Sequence, residues 1–166
     1  MIKKIISKTS LLLLLTACDI EYREDPRCEE LNYMTFEEFR EKGVEVLRSQ
    51  EIKEAGKIYV YKNILLIAEK NHGVHVIDNH DKNNPQAKAF LKVAGNIDMA
   101  VKDGYLYLDS YMDLVVMDIN DLTNIREVNR TNDTFTYDQN QSFNGDYYQD
   151  PCNFDTSKGV IVGGKK

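Results

Sequence analysis

The chain has 166 residues, enough for one domain of ordinary size, with 42% hydrophobic residues and a formal net charge of −6. That acidic balance argues against nucleic acid as a partner and against an electrostatic hold on anionic lipid. No Gly-x-Ser-x-Gly, no phosphate-cradling glycine loop and no paired nucleophile and base occur in it, so nothing in the pattern specifies an enzyme.

Lys3, Lys4 and Lys8 precede an apolar run, Leu11 to Leu15, which ends in Leu15-Thr16-Ala17-Cys18. A basic start, a short apolar run and small residues at the cut are the layout of a secretory signal over residues 1–17. The run is well short of the ~20 residues that span a bilayer, although a signal-anchor helix is the competing reading. Leu15-Thr16-Ala17-Cys18 resembles the lipobox of bacterial lipoproteins, which implies Cys18 as the acylated first residue of the mature chain. The resemblance implies a lipid-anchored envelope protein, in the outer membrane or on the periplasmic face, with the leaflet open. A diacyl or triacyl cysteine supplies the more than one chain that stable anchoring needs. Processing would remove three of the 21 basic residues and none of the 27 acidic ones, leaving a formal charge of −9. Cys28 and Cys152 then remain, and in an oxidising envelope they either form one disulfide or stay as two thiols.

Residues 18–34 are charged and polar, with Pro26, and read as a tether. Thr35-Phe36-Glu37-Glu38 has the spacing of a capping box, with Met34 and Phe39 placed for a hydrophobic staple and Gly43 as a stop. This predicts one short helix within residues 35–43 that must pack on something to persist.

From Val44 the period changes to two. Val44 to Arg48 reads as a strand, and Gly56-Lys57 turns the chain into a second at Ile58 to Tyr61. Lys62-Asn63 is a tight turn before an apolar run, Ile64 to Ala68. Asn71-His72-Gly73 is a turn with a glycine for positive φ, followed by Val74 to Ile77. The polar loop 79–85 leads to a fourth strand in that series, Gln86 to Val93. Shifting the register by 40 places Lys102-Asp103 on Lys62-Asn63, Asp109 on Glu69, Asp118 on Asp78 and Asp121 on Asp81, without a gap from Ile58 to Asn84. A four-stranded unit recurring every 40 residues is the signature of a propeller blade, a two-repeat sandwich or barrel being the alternative.

Val74-His75-Val76-Ile77-Asp78 and Leu114-Val115-Val116-Met117-Asp118 resemble the repeat named for the string Leu-Val-Ile-Val-Asp, found in bacterial envelope proteins. The resemblance covers about residues 44–130 and implies β-propeller blades, without catalytic residues to carry over. The expected fold is therefore all-β: two four-stranded antiparallel propeller-type blades over residues 44–130 and one short N-terminal helix. Residues 44–53 align with the fourth strand and are expected as an outer strand, of the kind that completes a last blade in a closed propeller. Residues 155–166, with Val160-Ile161-Val162, read as the opening of a further blade. Closed propellers need ~4 to 8 blades, so two suggest a short or truncated member.

His72, His75 and His80 are close enough in sequence to converge on a metal, but the next repeat has no histidines at those places. The loop 78–83 offers oxygen ligands but lacks the glycine and closing glutamate of a calcium loop, so its aspartates are expected to cap turns. No metal or cofactor is expected. Residues 131–154 break the register and interleave Asn, Asp and Gln with Tyr137, Phe143, Tyr147 and Tyr148. Rings beside amides and carboxylates suit a carbohydrate or protein partner, against the plainer reading of a packed or disordered connector. The expected function is a non-catalytic binding or scaffolding module. The alternative is a fragment of a larger envelope propeller that is an enzyme or glycan-binding protein.

Overall fold

The computed structural model describes residues 31–136 and 155–164. It is mostly β, with three antiparallel sheets, one α-helix and no closed barrel among the described residues. In chain order the elements are β1 (Leu31–Met34), α1 (Phe36–Lys42), β2 (Val44–Arg48), β3 (Ile58–Tyr61), β4 (Ile64–Glu69), β5 (Gly73–Asp78) and β6 (Gln86–Val93). There follow β7 (Met99–Lys102), β8 (Tyr105–Ser110), β9 (Asp113–Asp118), β10 (Arg126–Thr131) and, after a 3-10 turn, β11 (Val160–Gly164). The first large sheet has the order β2-β6-β5-β4-β3, the second β10-β9-β8-β7, and β1 pairs with β11.

The helix forms as its caps predict. Thr35 Oγ1 accepts from Glu38 N at 3.2 Å, while Glu38 spends its carboxylate on Lys42 at 2.8 Å. Phe39 is fully buried against Ala94, Tyr111, Met112 and Val160, with Met34 packed on the same cluster. Tertiary burial of that ring, worth ~2 to 3 kcal/mol, together with the Arg40–Asp113 pair at 3.0 Å, holds a helix of seven residues.

Three expectations about strand placement are corrected. Strand β2 is an outer strand, but it joins the first unit and makes that sheet five-stranded rather than four-stranded, from Val44 opposite Val93 to Arg48 opposite Ala89. The Lys92–Glu45 pair at 3.0 Å and the bond from Ala94 N to Gly43 O fix it there. Strand β11 does not open a further blade. It pairs with β1, Met34 opposite Val160, because fully buried Val160 fits under α1. Consequently the last four residues of the expected tether are strand.

The repeat is real but not gapless. Strands β5 and β9 begin at residues 73 and 113, 40 apart, whereas β4 and β8 begin at 64 and 105, 41 apart. The turn between β4 and β5 has three residues, 70–72, and that between β8 and β9 only Tyr111 and Met112, which absorbs the difference. The last strands return to a spacing of 40. Each carries one bulge, at Lys88 opposite the Val76–Ile77 step and at Val128 opposite the Val116–Met117 step.

That single residue decides how the sheets meet, since a slip of one reverses which face a side chain occupies. Leu66 and Ala68 of β4, with Val74 and Val76 of β5, pack against Leu106 and Leu108 of β8 and Val115 and Met117 of β9. With the spacing corrected, Leu106 and Leu108 are the counterparts of Leu65 and Ile67, and Val115 and Met117 of His75 and Ile77. The units therefore stack through unlike faces, one behind the other. A two-fold sandwich would bring the same face of both units together.

Candidate functional site

Unlike-face stacking leaves two outer faces. On the first sheet, residues 49–57 cross the outer face: Lys53 N and Glu54 N donate to Glu69 Oε1 at 2.6 and 3.3 Å, and Gly56 N donates to Ala68 O at 2.7 Å. Beneath them His75 is 3% exposed, its ring 4.7 Å from Phe90 and its Nε2 3.3 Å from Glu69 Oε1. The same crossing leaves a polar cleft of about 340 Å³ between Gln50, Glu54, His72 and Phe90.

On the second sheet the outer face is open over part of its area among the described residues, although Val116 there is 8% exposed. Tyr107 and Asp109 of β8, Leu114 of β9 and Ala100 of β7 floor a cleft of about 460 Å³, rimmed by Ile97, Asp98, Tyr111, Phe135 and Thr136. Tyr107 and Asp109 alternate out from Leu106 and Leu108, so the pleat that builds the core also builds this floor. Phe135 reaches the rim because its N–H donates to Met112 O at 2.9 Å. Its ring is left 44% exposed.

Asp109 organises the upper wall. Its Oδ1 accepts from Ile97 N and Asp98 N at 2.9 Å and from Asn96 Nδ2 at 2.8 Å. Burial pushes its carboxyl above the usual carboxylate range, against the lowering effect of the N–H groups of Asp98 and Ile97. Asp98, on the same rim, is held below that range by Lys57, which pairs with it, and by Met99 N–H. Both acids are thus engaged by their own chain. Neither has a nucleophile beside it, and a raised acid that already anchors a loop is poorly placed to move protons to a ligand. The arrangement offers apolar floor, aromatic rim and fixed amides, which suits binding.

The three histidines are not brought together. His72 Nδ1 lies 2.8 Å from Lys70 O and His80 Nδ1 3.1 Å from Asn63 Nδ2, at opposite ends of β5, roughly 20 Å apart along the strand. His75 lies between them in the covered face. The repeated aspartates cap turns as expected. Asp78 Oδ1 accepts from His80 N and Asp118 Oδ1 from Asn120 N, both at 3.0 Å. Asp81 Oδ1 accepts from Asn83 N and Asp121 Oδ1 from Thr123 N, at 3.0 and 2.9 Å. Among the described residues no three His, Cys, Asp or Glu side chains are grouped to hold a metal. Cys18, Cys28, Cys152, Tyr137, Phe143, Tyr147 and Tyr148 lie outside the described residues.

Sequence reasoning missed Asp109 as a site residue, and also a buried ionic knot at Asp113. The signal for the first was the acidic pair Glu69 and Asp109 near the ends of corresponding strands: each carboxylate accepts two consecutive N–H groups of the segment that leads into its own unit. No protein-family model, curated protein or solved structure matches the chain.

Proposed function

We propose that this is a lipid-anchored protein of the bacterial cell envelope, acting as a non-catalytic binding or scaffolding module built of two propeller-type blades. The stacking through unlike faces carries the reading. Blades of a propeller succeed one another front to back, and the exit from each unit here supports that succession. Gly95 N donates to Asn71 O at 3.2 Å after the first unit, and Phe135 N donates to Met112 O at 2.9 Å after the second. The open face of the second unit, with its cleft at Tyr107, Asp109 and Leu114, is the binding surface. Anchoring rests on the Leu-Thr-Ala-Cys motif ending at Cys18.

Two measurements test this. Labelled palmitate enters the full chain and is absent from Cys18→Ala; equal labelling removes the anchor. Affinity capture from bacterial membranes with the full chain and with Leu114→Arg tests the surface. Bound material common to both, in equal amount, removes the cleft as the binding face.

A further inference from the structure

Resting on the two-blade reading, we infer that the occupant of the open cleft is a second copy of this chain, docked head to tail through its first sheet. The evidence is a pair of equivalent positions with opposite environments. Met99 and Val101 of β7 face the first sheet, Met99 4% exposed and Val101 packed against the shared core. Their counterparts 41 residues earlier, Ile58 and Val60 of β3, are 59% and 61% exposed. Two apolar side chains covered in one unit and bare in the other mark an inter-unit contact that lacks its neighbour on one side.

The surface that covers Met99 and Val101 within the chain is the face of the first sheet carrying Leu66, Ala68, Val74 and Val76. The same face of the second sheet carries Tyr107, Asp109 and Leu114, which floor the cleft, and Val116, which is 8% exposed. Ile67, His75 and Ile77 are already buried within the chain, so it is at the β3 edge that each molecule exposes one half of a contact β7 makes internally, with the other half in its cleft, and a second copy would continue the contact there. The covering segment 49–57 does not block this approach. It lies over Phe90, His75 and the end of β4, whereas Ile58 and Val60 lie on β3, the edge strand opposite β2. The cleft likewise lies toward the β7 edge of its sheet, over β7, β8 and Leu114 of β9. A contact between unlike surfaces is heterologous and closes into a ring where the rotation allows, so two to four copies would give about the 4 to 8 blades of closed propellers. The mature charge of −9 opposes association, so added salt should strengthen it.

The experiment uses the full lipidated chain in bacterial membranes, in a Cys28→Ser, Cys152→Ser background. Val60→Cys and Leu114→Cys are made as separate variants and treated, alone and mixed, with a short bismaleimide. The expected result is a covalent dimer in the mixture alone, and none from Val46→Cys, which is exposed on the outer edge strand. In detergent, light scattering should give a multiple of the chain mass for wild type and the single chain for Val60→Glu. Pairing of Val60→Cys with itself, an adduct with a different protein, or no adduct at all would each overturn the inference. Amide exchange on the same samples separates the two levels. Protection across β4, β5, β8 and β9 without crosslinking sinks only the second copy; absence of protection there sinks the blades as well.

Discussion

Asp113 is the position where a one-atom change should cost most. Its side chain is fully buried at the start of β9 and binds Arg40 of α1 with both oxygens, Nε to Oδ2 at 3.0 Å and Nη2 to Oδ1 at 3.1 Å. Arg130 Nη1 of β10 donates to Oδ2 at 3.3 Å, and Asp133 N to Oδ1 at 3.0 Å. One carboxylate therefore ties the helix, an edge strand and the loop after it to the second sheet. Asp113→Asn keeps the shape, removes the charge and turns an N–H group toward a guanidinium. Removing one partner of a buried pair costs about 3 to 5 kcal/mol. Arg40 is 26% exposed and Arg130 11%, so water recovers part of that and about 3 kcal/mol is expected. For a domain of this size that is on the order of 10 °C in Tm.

Denaturant unfolding of wild type, Asp113→Asn, Arg40→Met and the double variant measures it, the double variant losing much less than the sum. Asp133→Asn serves as control: its carboxylate is 76% exposed and should be worth at most about 0.5 kcal/mol. Burial pushes the Asp113 carboxyl up, but Arg40, the Asp133 N–H and Arg130 together hold it below the usual range. An acid whose folded pKa is depressed stabilises above its unfolded value, about 3.9, and that stability is lost as pH falls through the folded one. The gap between wild type and Asp113→Asn should therefore be full at pH 7 and shrink below about pH 4. A loss under about 1 kcal/mol, or a gap that does not change with pH, would refute the reasoning.

Thr35→Ala should destabilise by about 1 kcal/mol in the same assay, through loss of the bond to Glu38 N. Gly73→Ala should cost at least about 3 kcal/mol, because φ is +143° there and an added Cβ would sit 1.9 Å from Leu91 O. Asp109 has the opposite sign to Asp113. Its folded pKa is raised, so wild type gains stability as pH falls through that value toward about 3.9. Asp109→Asn should match or exceed wild type at pH 7, with the difference moving in wild type's favour toward pH 4 in thermal melts. Phe90→Ala, at a ring 5% exposed under residues 49–57, should cost about 3 kcal/mol, whereas Leu114→Ala on the open face should cost under about 1.5. Equal losses at the two would contradict the covered and open assignment of the faces.

The elements were legible because their signals are local. Thr35 and Gly43 bracket the helix, Gly73 and the Asx loops punctuate the strands, and the counterparts of Asp78 and Asp81 at Asp118 and Asp121 expose the repeat. Register was not legible, and the cause is visible in β4. Ile64-Leu65-Leu66-Ile67-Ala68 is apolar on both faces, so no alternation says which residue faces which sheet. Glu69 and Asp109 then invite an alignment at 40, when their strands are 41 apart. The pairing of β1 with β11 was hidden for another reason: Val160-Ile161 declares a strand, but nothing local names its partner across more than 120 residues. The cleft escaped because Tyr107, Leu114 and Ile97 each read as core or turn, and become a surface only through the stacking.

The unlike-face contact also explains why the two ends of the stack are finished differently. A two-fold pair has one kind of outer face and one way to treat it. Here the outer faces differ, so each must be treated on its own terms. The first is solved inside the chain: β2 widens the sheet, and the segment from β2 to β3 lays polar residues over His75 and Phe90, anchored by the Glu69 carboxylate. The second face receives from the described chain only the rim at Phe135 and Thr136, with the floor at Tyr107 and Leu114 left accessible. The first closure is partial, because Ile58 and Val60 on that face stay 59% and 61% exposed at the β3 edge, so the two faces differ both in what covers them and in where they are left bare.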